Sequence, residues 1–152
     1  MPAVAHGLAG LTALAGTDLG RTDWLEITQD RVDTFATATD DHQWIHTDPE
    51  RAKDGPFGGP IAHGYLTLSL IIPLFGELLE LTGVSMSVNY GLDKVRFPRP
   101  VPVGAKIRLH GAVDSVTAVK GDGVQLELTF TVEVEGGGKP ACVARAVYRH
   151  YA

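Results

Sequence analysis

The chain has 152 residues, of which 44% are hydrophobic and 20% charged, ordinary globular usage that excludes a disordered chain, a coiled coil and a disulfide scaffold. Thirteen Lys and Arg against 18 Asp and Glu leave a net charge of −5, with the basic residues scattered, so nucleic acid is not an expected partner. A chain of this size fills one core, and residues 1–152 read as a single soluble domain with a cytoplasmic location.

Residues 1–16, MPAVAHGLAGLTALAG, are apolar, but no Lys or Arg precedes Arg21 to supply the positive start of a signal peptide. A local helix or strand start is expected there instead. Asp23 to Thr28 (DWLEIT) alternates and reads as a short first strand. A helix follows with apolar positions Val32, Phe35, Ala36 and Ala38, stopping near Thr39. Asp48-Pro49-Glu50 places an N-cap before a first-turn proline and an acid, opening a short helix that Gly55-Pro56 ends. The intervening TDDHQWIH is expected to be loop.

Ala62 to Leu81 reads as one core helix of about 20 residues, roughly 30 Å long. Pro73, Gly76, Glu77 and Glu80 interrupt its apolar character, so it is not a membrane span. Beyond residue 82 four alternating runs, Ser85–Phe97, Ala105–Val119, Val124–Val134 and Ala141–Tyr151, are separated by PRPVPVG, KGDG and EGGGKP. Such punctuation predicts an antiparallel meander, hence an α+β architecture in which a curved sheet encloses one helix.

Few residues are placed to do chemistry. Asp41 and His46 are five apart, about 140° around a helix axis, so they share no helical face and converge only across a loop. A carboxylate beside an imidazole can move protons near neutral pH. On spacing alone, a solvated Asp41 at a helix end and a His46 packed beneath the loop explain the pair better. His63-Gly64 opens the apolar helix, leaving the Gly64 N–H free at its positive end to polarise a carbonyl oxygen, or simply permitting the turn. Asp40, His42 and Gln43 read as solvated. Trp44 is a hydrophobic cover for the loop and, with His63, a candidate substrate contact. Arg96 and Arg99 can reach a phosphate or stand as exposed strand-end charges. Lone Cys142 reads as a buried thiol, and His110 and His150 lie on strands without a second ligand at metal spacing, so no metal is expected.

The run FATATDDHQWIHTDPERAKDGPFGGPIAHGYLTLSL, followed by NYGLDKVRFPRPVPVG, resembles the signature of the MaoC-like (R)-specific enoyl-CoA hydratases and dehydratases, and among them the single-domain NodN-like members. The resemblance covers nearly the whole chain. It implies the hot-dog fold, a sheet wrapped on a central helix, with Asp41 and His46 as the catalytic pair and the Gly64 N–H serving the thioester oxyanion. It further implies a lyase of fatty acid metabolism acting on a thioester of CoA or acyl carrier protein, needing no cofactor, and working as a homodimer. Three positions depart from the pattern: Asp40 replaces the usual Gly, Gln43-Trp44 replaces Asn-Pro, and Ile72 stands where some members place a Ser that steadies the Asp. A hot-dog thioesterase directing water with Glu77 or Glu80, and a non-catalytic acyl-binding module, are the alternatives.

Overall fold

The computed structural model describes residues 1–152. The four alternating runs form the strands β5 (Met86–Arg96), β6 (Lys106–Val119), β7 (Gly123–Val134) and β8 (Cys142–Tyr151), within a residue or two of the predicted spans. Period-two alternation places Leu126, Leu128, Phe130 and Val132 of β7 wholly inside. With β2 at Asp18–Arg21 and β3 at Leu25–Glu26, the sheet order is β2-β6-β7-β8-β5, with β3 also on β6. Only β6, β7 and β8 therefore meander. β5 crosses over to pair antiparallel with β8, from Met86 opposite Tyr151 to Arg96 opposite Val143, and forms one edge of the sheet.

Upstream, the predicted first strand shrinks to β3 (Leu25–Glu26), and β2 (Asp18–Arg21) precedes it. The apolar N-terminus, expected to start a helix or a strand, forms one of each, β1 (Ala3–His6) and α1 (Gly7–Thr12). Helix α2 (Gln29–Thr39) starts where the Thr28 hydroxyl accepts from the Arg31 N–H and ends at Asp40, in the left-handed region at φ 59°. The expected loop after it contains one helical turn, α3 (Trp44–Thr47). Asp48 then caps α4 (Pro49–Ala52), its carboxylate accepting from the Arg51 N–H.

The long helix is the main correction. It is two pieces, α5 (Gly64–Ser69) and α6 (Ile71–Leu78), with Leu70 between them, and no continuous helix runs from Ala62 to Leu81. Pro73 explains the interruption, because it has no N–H to give the Ser69 carbonyl and its ring crowds that carbonyl. The last predicted turn is instead strand β4 (Leu79–Thr82), which pairs in parallel with β1. No helix is long and apolar enough to cross a membrane.

Helices α5 and α6 pack on the inner face of the sheet, with Leu66, Leu70, Leu74 and Leu78 in the core. At Gly111 a Cβ would stand 3.1 Å from both Leu78 Cδ1 and a Phe130 ring carbon, so glycine permits the close approach of α6 to β6. Phe130 joins the rings of Phe75 and Tyr148 at centroid distances of 5.4 and 6.0 Å. Cys142 is fully buried and its thiol is pushed up to about 11 by burial. Because Phe130 is wholly enclosed between sheet and helix, Phe130→Ala should lower the unfolding free energy by about 3–5 kcal/mol in urea titrations with the slope unchanged; a loss below about 1 kcal/mol would mean that the inner face is loosely packed.

Candidate active site

The left-handed Asp40 turns the chain out of α2 and sends it past Asp41 into α3. Asp and Asn tolerate this conformation better than other non-glycine side chains, which suits Asp40 to this turn. Asp41 is exposed, and its carboxylate makes one long contact, accepting from the Gln43 N–H at 3.5 Å. One turn on, α3 carries His46 inward to 7% exposure.

Two backbone carbonyls decide what the histidines offer. His46 Nδ1 lies 2.6 Å from the Ile61 carbonyl oxygen. A carbonyl only accepts, so Nδ1 holds the proton and Nε2 presents a lone pair. His63 Nε2 likewise donates to the Asp41 carbonyl at 2.9 Å, leaving its buried Nδ1 with no partner. The two imidazoles stack, with centroids 3.9 Å apart and planes at 23°, and Phe35 closes the far side of His63 at 4.8 Å. Side-chain donor atoms of Asp41, His46 and His63 all lie within 4.8 Å of one another. The free lone pairs lie in two ring planes that are 23° apart with centroids 3.9 Å distant, so one ion cannot sit close to both planes, a poor match to the convergent ligands that a bound metal needs.

Burial is the largest influence on His46 and lowers its pKa from 6.5; the Ile61 hydrogen bond and the Asp41 charge oppose this, and His63 adds to it. The ring is therefore neutral at pH 7, with Nε2 open as a base. Gln29 steadies it from behind, donating from Nε2 to the His46 carbonyl at 2.8 Å and to Asp33 Oδ1 at 2.9 Å. Sequence reasoning missed Gln29. Its only signal is its place at the start of α2, four residues before Asp33.

Gly64 is the first residue of α5, where its N–H has no intrahelical acceptor. The Phe97 ring lies against it, 3.4 Å from where a Cβ would be, so a larger residue would press on the ring. The remaining predicted contacts lie further out. Trp44 packs its ring on Gly55 and under the Arg51 guanidinium, 4.3 Å from the centroid, as a cover for the α3–α4 turn. Arg96 is exposed and bonds the carbonyl of its own neighbour Val95, while Arg99 donates to Gly137 O at 2.6 Å and anchors the turn between β7 and β8. His63 lies beneath His46 and holds the backbone of Asp41.

The chain is similar to known proteins over nearly its whole length. Residues 10–135 match the family model of the MaoC-like domain. The 3-hydroxyacyl-thioester dehydratase Z of Mycobacterium tuberculosis is 50% identical over 147 residues, covering 97% of each chain. Nodulation protein N of Rhizobium leguminosarum is 40% identical, covering 90% of this chain and 86% of its own. Among solved structures, the (R)-hydratase of Aeromonas caviae involved in PHA biosynthesis superposes with a TM-score of 0.68 at 28% identity, over 88% of this chain and 94% of that one. With a curved antiparallel sheet packed on a central helix and a signature that runs through its site loop, the chain belongs to the MaoC-like hydratases and dehydratases of the hot-dog fold.

Proposed function

We propose that the protein reversibly adds water to a trans-2-enoyl thioester to give the (3R)-hydroxyacyl thioester, with Asp41 and His46 as its acid/base pair. The observation that carries this reading is the neutral His46, its Nε2 lone pair fixed by the Ile61 bond, beside the Asp41 carboxylate and near the open N–H of Gly64. A water held between the pair gives a proton to His46 Nε2 as its oxygen bonds the β-carbon, and the pair returns a proton to the α-carbon on the same face. The Gly64 N–H receives the negative charge that gathers on the thioester oxygen. The names of the relatives from M. tuberculosis and A. caviae support this substrate class and the R configuration.

A thioesterase reading needs a carboxylate from the central helix at the site. Glu77 and Glu80 instead line a separate cleft with Leu19 and Arg21, at the other end of the helix from Gly64. In this reading the exposed Arg96 is the contact for the phosphates of CoA or of a carrier protein's pantetheine, while Arg99 is tied to the β7–β8 turn.

The working unit is a homodimer. β5 pairs on one side only, and Met86, Tyr90, Leu92 and Phe97 leave apolar surface along it, 42–57% exposed. An open edge flanked by apolar side chains is covered when two copies align edge to edge. Light scattering at micromolar concentration should give about twice 16.2 kDa, and a fully active monomer would overturn this assembly.

Asp41→Asn and His46→Ala should each lower kcat by at least about a hundredfold, with the double variant little worse than either, as for groups acting on one water. Additive losses would show separate roles. Asp40→Asn should cost far less, since Asp40 serves the backbone turn. The acid limb of kcat/KM should fall below pH 6.5, because a lowered His46 pKa keeps the base unprotonated to lower pH. The same shift means that the unfolded chain takes up its proton first, so folding stability should decrease as pH falls from 6.5 toward the folded-state pKa. An acid limb above 6.5 would remove His46 as the base.

A further inference from the structure

A groove follows α5 and α6 on the side that faces β5. Its near part, of about 190 Å³, lies between Leu68 and Ser69 of α5 and Leu92 of β5. Its far part, of about 340 Å³, has apolar walls from Phe75, Leu79 and Val88. Ile72, Asn89 and Tyr148 belong to both parts, so the two run together. Leu68 and Ser69 lie about one helical turn beyond Gly64, the first residue of α5, against which the Phe97 ring packs. From Gly64 to Gly76 the helices advance about 18 Å, well beyond the reach of a short acyl group.

The far end of this groove is polar. Ser87 and His150 face each other across the β5–β8 pair, with Ser87 Oγ 2.8 Å from His150 Nδ1. His150 is 3% exposed, and its Nε2 is buried without a partner. Burial lowers its pKa below 6.5, so the ring is neutral. A buried ring nitrogen left unbonded carries a free-energy cost that an apolar side chain there would not. Neither Asp41 nor His46 touches this pair, and nothing in the proposed hydration uses it.

We propose that Ser87 and His150 form a distal subsite that receives a hydroxyl group carried by the acyl chain far from the thioester. If Ser87 donates to Nδ1, then Nε2 carries the proton and donates; if Nδ1 donates to Ser87, Nε2 accepts. A hydroxyl satisfies either tautomer, being both donor and acceptor. The inference rests on the hydratase reading of the Asp41–His46 site for its substrate, and on the groove alone for its polar end.

The test compares trans-2-enoyl-CoA esters of increasing length, each with and without a terminal hydroxyl, on the wild-type protein, His150→Phe and Ser87→Ala. An apolar groove alone would disfavour the hydroxyl at every length. The subsite predicts a length at which the hydroxylated ester is preferred in kcat/KM by up to about tenfold. That preference should vanish in His150→Phe and weaken in Ser87→Ala, while a four-carbon enoyl-CoA too short to reach the subsite is hydrated equally by all three. Should His150→Phe not fold, the Ser87→Ala ratio decides. No preference at any length, or one that both variants keep, overturns the subsite. If no enoyl-CoA is turned over, the hydratase reading fails by itself. Calorimetric binding of terminally hydroxylated against plain acyl-CoA esters then tests the subsite: tighter binding of the hydroxylated ester to wild type alone supports it, and equal binding refutes it.

Discussion

The short extended segment Pro60–His63 ties the rest of the molecule together. Its Ile61 N–H donates to the Ile45 carbonyl at 2.9 Å, and its Ile61 carbonyl accepts from His46 Nδ1. Ala62 N–H donates to Val101 O, and Pro60 O accepts from Val103 N–H, at 2.8 and 2.9 Å. The His63 ring reaches back to the Asp41 carbonyl, and its backbone leads into the first turn of α5. Four residues thus connect the site loop, the entry to β6 and the first turn of the central helix. Displacing this segment would change the tautomer of His46, the path of Asp41 and the direction of the Gly64 N–H together.

The interrupted helix has a comparable role on the apolar side. Pro73 and the break at Leu70 let α5 present its start to the site while α6 lies against β6 and β7. The chain then leaves as β4, whose parallel pairing with β1 brings the N-terminus onto the end of the helix. A single straight helix would carry its apolar face to Leu81. The interrupted one leaves room between itself and β5, and Ile72 lines that groove.

Charge is handled sparingly at the site. Asp41 remains exposed, while His46 is desolvated and kept neutral. Two groups in different environments are the arrangement that general acid/base chemistry at neutral pH requires. The stacked His63 adds a second ring that gives its proton to a backbone carbonyl and so contributes position to the loop.

The sequence by itself determined the elements whose signal is local. Alternation over ten or more residues located β5 to β8, Asp48-Pro49 marked the start of α4, and the Asp41, His46 and Gly64 signature identified the family, because each depends on neighbours along the chain. Tertiary structure decided what depends on distant partners. β5 lies beside β8 and not β6, since closing the sheet around the helix outweighs proximity in sequence. Leu79–Thr82 is a strand because β1 offers it backbone partners, although its composition suits a helix. The proton on His46 is set by a carbonyl fifteen residues away, and the unpartnered nitrogen of His150 is evident only once β5, β8 and α6 surround it. Hydrogen bonds across such separations leave no periodicity in the chain, so only the folded molecule reveals them.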